Sequence, residues 1–220
     1  MLKDIEAMAP GVKLGFQAHY PQLETKLALR GADQAELDRV LAPLEAAIRQ
    51  RLGNFILAED TASLESVVLD GIRARNGSIA LAESFTGGAI AGRLLHQEGA
   101  EALFRRGVVS RDAAQLAAAL GLAPAAFGAD MARAAASALR AQSGASHALA
   151  ALVSMQGEGA DAQGDIWIGL ASPEGVVLRE ARLVGGREWV RLGAAELALD
   201  TLRRHLQGLP IDEKLDFERR

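Results

Sequence analysis

The chain has 220 residues, half of them apolar, with 24 basic and 28 acidic side chains mixed along it for a net charge of -4. That is enough apolar material for a sizeable core, and the acidic balance leaves no electrostatic footprint for nucleic acid or an anionic membrane surface. No apolar run reaches the ~18 residues needed to span a bilayer, the opening "MLKDIEAMAPGVK" lacks the features of a signal peptide, and a cytoplasmic protein is expected.

In chain order, residues 12–18 and 23–29 are strand-like runs separated by "HYPQ", whose Pro21 favours a turn, so they read as an antiparallel pair. Over residues 33–52 the apolar positions Leu37, Val40, Leu41, Leu44, Ala47, Ile48 and Leu52 recur at three and four, predicting a helix with one buried stripe that stops at Gly53. The polar joint "AEDTAS" follows. A boundary there divides a small β-β-α module, residues 1–62, from a larger domain, residues 63–208, with a charged tail at 209–220.

The larger domain opens with a helix over residues 64–75, entered at Ser63 and left through Asn76-Gly77. A strand at 78–82, a helix at 87–96, a strand at 107–110 and helices at 112–120 and 130–142 come next. Strands at 148–153, 166–171 and 176–183 precede a last helix over 188–206. Strands interleaved with helices predict a three-layer α/β/α sandwich. Gly175 within "SPEGV" marks a hairpin, so the central sheet is expected to be mixed.

The segment "SIALAESFTGGAIAGRLL" carries the candidate chemistry. An apolar strand runs into Glu83, Ser84, Phe85, Thr86, Gly87 and Gly88 and then into a helix, setting hydroxyls and free backbone N–H groups at the carboxyl edge of a sheet. Such a helix start attracts anions, and the glycine pair lets a ligand approach the backbone. The same residues serve equally as an N-cap and tight turn, and spacing alone does not separate the two readings. Neither a P-loop nor a dinucleotide fingerprint is present. The chain has no cysteine, which excludes a thiol nucleophile and thiolate metal sites. His19, His96, His147 and His205 show no metal-ligand spacing, so no metal ligand and no cofactor is assigned. A site built from distant segments has no positive support in the sequence.

"ALAESFTGGAIAGRLL" resembles the "AESCTGG" motif in the carboxy-terminal domain of the competence/damage-inducible CinA family, whose active members hydrolyse nicotinamide mononucleotide to its acid and ammonia. The similarity continues through "GAEALFRRGVVS" and "LGL", and "GGREWVRLGAAELALDTL" is similar to the family's "GDRxxVR" helix start. The region "PGVKLGFQAHYPQLETKLALRG" resembles the KH-like connecting module that precedes this domain in longer members, although it has no "GXXG" loop and nucleic-acid binding is not expected. The pyrophosphatase-type domain of those members has no counterpart in these 220 residues.

The resemblance implies that Ser84 occupies the nucleophile position, activated in active relatives by a tyrosine and a lysine of a "TYSNEAK" segment. Aligned without a gap, "GVVTYSNEAK" falls on "GVVSRDAAQL", so the tyrosine becomes Arg111 and the lysine Leu116. The chain's lysines are Lys3, Lys13, Lys26 and Lys214, none of them within residues 27–213. The "TGIAGPGG" loop corresponds to "LVSMQGEGA", and the family's "GAVS" is reduced to "GAD". The expectation is a degenerate domain, catalytically silent and kept for ligand binding, scaffolding or assembly, with a pyridine nucleotide as the candidate ligand. Its ligand-binding candidates are Glu83, Thr86, Gly87, Gly88, Arg111 and Arg187. The alternative is an amidohydrolase still working through Ser84. Arg187 and Arg191 match the family's last-helix arginines, with pairing to Glu188 as their plainer role. Homo-oligomer formation is implied by the family alone.

Overall fold

The computed structural model describes residue 2 and residues 4–213. It divides into two compact units, the first ending at Glu59 and the second beginning at Asp60. The expected tail from residue 214 onward, Lys214 included, lies outside the described residues.

In the first unit β1 (Lys13–His19) and β2 (Gln22–Ala28) pair antiparallel, in register from Lys13 opposite Ala28 to His19 opposite Gln22. The helix α1 (Gln34–Leu52) starts where the Asp33 side chain accepts a hydrogen bond from the Ala35 N–H at 2.9 Å. Its stripe packs as the periodicity predicts. Leu44 is fully buried, and Val40, Leu41, Ala47 and Ile48 lie against the same small core. The other half of that core is Leu2, Ile5, Ala9 and Val12. A three-residue 3-10 turn, Glu6–Met8, brings most of these in, and a segment so short carries no periodic signal in the sequence.

The second unit runs α2 (Leu64–Ala74), β3 (Ile79–Glu83), α3 (Ala89–Leu95), β4 (Phe104–Val109), α4 (Ala113–Ala119), α5 (Ala129–Ser143), β5 (His147–Gln156), β6 (Gln163–Ser172), β7 (Gly175–Val184) and α6 (Gly186–Gln207). The sheet order is β4-β3-β5-β6-β7. β3 is parallel to both neighbours, whereas β5, β6 and β7 form an antiparallel meander, so the sheet is mixed and covered on both faces. The chain leaves β3 for β4 on one side and later returns to β5 on the other. The carboxyl end of β3 is therefore a topological switch point, where a crevice forms in open α/β sheets.

Ser63 and Ser66 form a reciprocal capping box that fixes the start of α2. The alanine content of α5 has a packing purpose. Ala132, Ala135 and Ala136 are fully buried, and their small side chains let the helix backbone settle onto the sheet. At Gly169 of β6 a Cβ would stand 2.2 Å from the Ala132 carbonyl oxygen, so any side chain there would push α5 off the sheet. His147 opens β5 and is 2% exposed; burial, with His205 beside it, pushes its pKa down to about 4 and keeps the ring neutral.

Several boundaries differ from the sequence reading, β4 among them, which starts at Phe104 rather than residue 107. The helix after the Ser84 turn starts at Ala89 rather than residue 87, because Gly87 and Gly88 have φ of 69° and 87° and belong to the turn. β5 and β6 extend three residues further towards each other than expected, pairing Ser154 with Asp165 and Gln156 with Gln163. The polar residues of "SMQ" hide this strand, which is held in part by a cross-strand bond from Gln156 Nε2 to Asp165 Oδ2 at 2.8 Å. Among the described residues no helix is long and apolar enough to cross a membrane.

Candidate functional site

Ser84 follows the last residue of β3 at the switch point, with its N–H bonded to the Ala151 carbonyl at 2.9 Å as though the ladder continued. The chain then reverses sharply. Phe85 has φ of 61° and the Thr86 N–H donates to the Ser84 carbonyl at 2.6 Å, a three-residue turn. A bulky aromatic in left-handed backbone is strained by about 1–3 kcal/mol, so the surrounding contacts hold it there.

The Ser84 side chain is fully buried. Its Oγ accepts a hydrogen bond from the Val153 N–H at 2.8 Å, and among the described residues nothing receives its proton. Two of the helix N–H groups expected to await an anion, those of Ile90 and Ala91, are occupied. The Glu83 carboxylate, 1% exposed, accepts from the Ile90 N–H at 3.1 Å, the Ala91 N–H at 2.8 Å and the Thr86 hydroxyl at 2.7 Å. Glu83 thus caps α3 from the preceding strand, and Thr86 steadies that cap. Gly87 and Gly88 supply the left-handed turn that brings α3 back under the carboxylate.

Arg111 and Arg187 converge on one ring. Each guanidinium carbon lies 5.1 Å from the centroid of Phe85, within cation-π range. Among the described residues neither makes an ion pair or hydrogen bond, so two like charges sit within about 10 Å of each other with only a ring quadrupole to offset them. Arg191 behaves differently: its guanidinium makes a fork with Glu188 at 2.8 and 2.6 Å, the plainer role. The sequence reading names Phe85 in the turn but gives it no role, because nothing about an aromatic in a turn advertises a platform for two cations.

Leu116 is fully buried on α4, in the apolar cluster that also holds Ala82, Leu120, Met131 and Leu152. Asp112, a conceivable alternative base, caps α4 by accepting from the Gln115 N–H at 2.8 Å.

Residues 61–206 match the family model for the CinA C-terminal domain. A CinA-like protein of Frankia casuarinae is 38% identical over 209 residues, covering 91% of this chain and 48% of the relative. One of Desulfovibrio desulfuricans is 35% identical, covering 82% and 46%. The chain thus spans about half the length of the curated relatives it matches. Among solved structures, a competence or damage-inducible protein from Enterobacter asburiae superposes with a TM-score of 0.58 at 19% identity, over 66% of this chain and 99% of that one. The competence/damage-inducible protein from Agrobacterium tumefaciens gives 0.56 at 24%, over 68% and 99%. At these identities the structures speak for the fold alone. The family match over residues 61–206 and the identity to these relatives establish that the chain belongs to the CinA family.

Proposed function

We propose that this domain binds a phosphate-bearing pyridine nucleotide without hydrolysing it, a CinA-type fold kept for ligand binding, scaffolding or assembly after losing its amidase chemistry. The observation that carries the reading is the state of Ser84: its oxygen accepts from the Val153 N–H and it has no proton acceptor among the described residues. A serine hydroxyl attacks an amide only when a neighbouring base takes its proton. The aligned lysine position holds Leu116, sealed in the core. Arg111 stays protonated, and the Glu83 and Asp112 carboxylates are committed to helix caps.

Binding is supported by Arg111 and Arg187, whose forks match a phosphate and whose mutual repulsion an anion would relieve. Assembly into a homo-oligomer belongs to the same reading and rests on family membership; gel filtration with light scattering tests it. The competing reading, an amidohydrolase working through Ser84, draws on the strained Phe85 turn, since strain of this kind gathers at reactive positions.

Calorimetric titration of the full chain with nicotinamide mononucleotide, with ammonia measured on the same sample, separates the two. Saturable binding without ammonia is expected. Arg187→Ala and Arg111→Ala should each weaken binding about 10- to 100-fold, the worth of a charged hydrogen-bonded contact. Absence of binding by the unaltered chain would defeat the ligand-binding reading.

A further inference from the structure

We infer that His147, Glu174 and His205 form a binding site for a divalent transition-metal ion, zinc or a close analogue, at the end of the sheet opposite the Ser84 turn. Sequence spacing assigns no metal ligands in this chain, but the fold joins three distant segments: His147 opens β5, Glu174 lies in the β6–β7 turn and His205 is in the last turn of α6. One ligand atom from each lies within 4.8 Å of the other two. His205 Nε2 and Glu174 Oε2 are 3.5 Å apart, close to the spacing of about 3.4 Å for two donors on one tetrahedral ion with bonds near 2.0–2.1 Å.

The second observation is a proton count. The Ser146 hydroxyl accepts from the Ser78 N–H at 2.8 Å and donates its single hydrogen to the Ser78 carbonyl at 2.9 Å. With that hydrogen on the Ser78 carbonyl, the 2.8 Å contact between Ser146 Oγ and His147 Nδ1 has the ring as donor. That tautomer leaves Nε2 with a bare lone pair, the form in which imidazole ligates a metal. Nε2 is buried and without a hydrogen-bond partner, the single such side-chain atom among the described residues. A buried acceptor held in one tautomer by a neighbouring hydroxyl, beside a second histidine and a carboxylate, has the organisation of a ligand set.

Two cations stand nearby, Arg75 and Arg140, and both are engaged with carbonyl groups: Arg75 with Gly71 and Leu206, Arg140 with Ser146. The Glu174 side chain is 65% exposed, which gives an ion its entry and leaves a position for water. Two imidazoles and a carboxylate suit zinc, cobalt, nickel or copper rather than magnesium or calcium. Its distance from the other site follows from register. Ile79 pairs with His147 and Glu83 with Ala151, so a full strand of about 16 Å, at 3.3 Å per residue, lies between this cluster and Ser84. The ion would tie α6 to the β6–β7 hairpin.

The test uses the tag-free full chain, stripped with a chelator and dialysed, then titrated with zinc chloride by calorimetry and with Co²⁺ followed by visible absorption. One ion per chain is expected, with a zinc-dependent rise in melting temperature. His205→Gln should weaken binding by about 100-fold or more and Glu174→Gln by about 10-fold, given that second-shell changes alone commonly reach 10- to 100-fold. Both side chains reach solvent, so both variants should melt normally without zinc, and Ser146→Ala should weaken binding by freeing the tautomer. Zinc binding unchanged in His205→Gln, or no binding at millimolar zinc, would overturn the assignment.

Discussion

The double variant Leu116→Lys with Arg111→Tyr, which rewrites the two aligned positions to the family pattern, is expected to lose about 3–5 kcal/mol of stability and to release no ammonia from nicotinamide mononucleotide. Leu116 has no exposed surface and belongs to the alanine-rich cluster between α4, α5 and the sheet. A lysine there removes a well-packed side chain and brings an amine into apolar surroundings that supply no counter-charge. Replacing the tyrosine position also removes one of the two cations over Phe85. Denaturant unfolding measures the first effect and an ammonia assay the second. Recovery of turnover that vanishes in Ser84→Ala would mean that position 116 still addresses the serine, and would contradict this picture of the core.

Asp200→Ala should destabilise the protein by a similar amount, about 3–5 kcal/mol, for the opposite electrostatic reason. Asp200 is 4% exposed on α6 and receives Arg179 at 3.0 Å, Arg203 at 2.9 and 2.7 Å and Arg204 at 2.8 Å, all three guanidiniums buried. Removing the carboxylate takes away the anion they share and leaves their repulsion inside the fold. Burial by itself would raise the Asp200 pKa, but the charges and hydrogen bonds of the arginines outweigh it and hold the carboxyl below its ordinary 3.8. With a lowered folded pKa, the group contributes its full stability above about pH 4 and loses it as pH falls through the folded value. The midpoint of denaturant unfolding at neutral pH is the measurement. A loss under about 1 kcal/mol would show that the cluster is dispensable.

How much of this could be read from the sequence depends on where the partners of each residue lie. Local signals translated well: the serine pair at the start of α2, the Asp33 cap and the stripe on α1 are decided within one or two helical turns. The missing lysine was equally legible, since residues 27–213 contain none. What failed to show were roles set by distant neighbours. Glu83 looks like a ligand group on a turn, yet it caps a helix that begins six residues later. α6 has no apolar stripe to find. Residues 193–204 are buried on every side, because the sheet lies under the helix and α2 and α3 cover it. Its charges are satisfied by β7 in one place and by Arg93 of α3 in another. His147 and His205 are far apart in the chain and meet only when α6 folds back along β5.

The most direct test of the account is a sensitive ammonia assay on the purified full chain with nicotinamide mononucleotide, run beside the Ser84→Ala variant. Indistinguishable release from both, at the level of the buffer blank, is the predicted result. Steady release by the unaltered chain that disappears in Ser84→Ala would mean that a proton acceptor does reach this hydroxyl, and the reading of a silent site would be wrong.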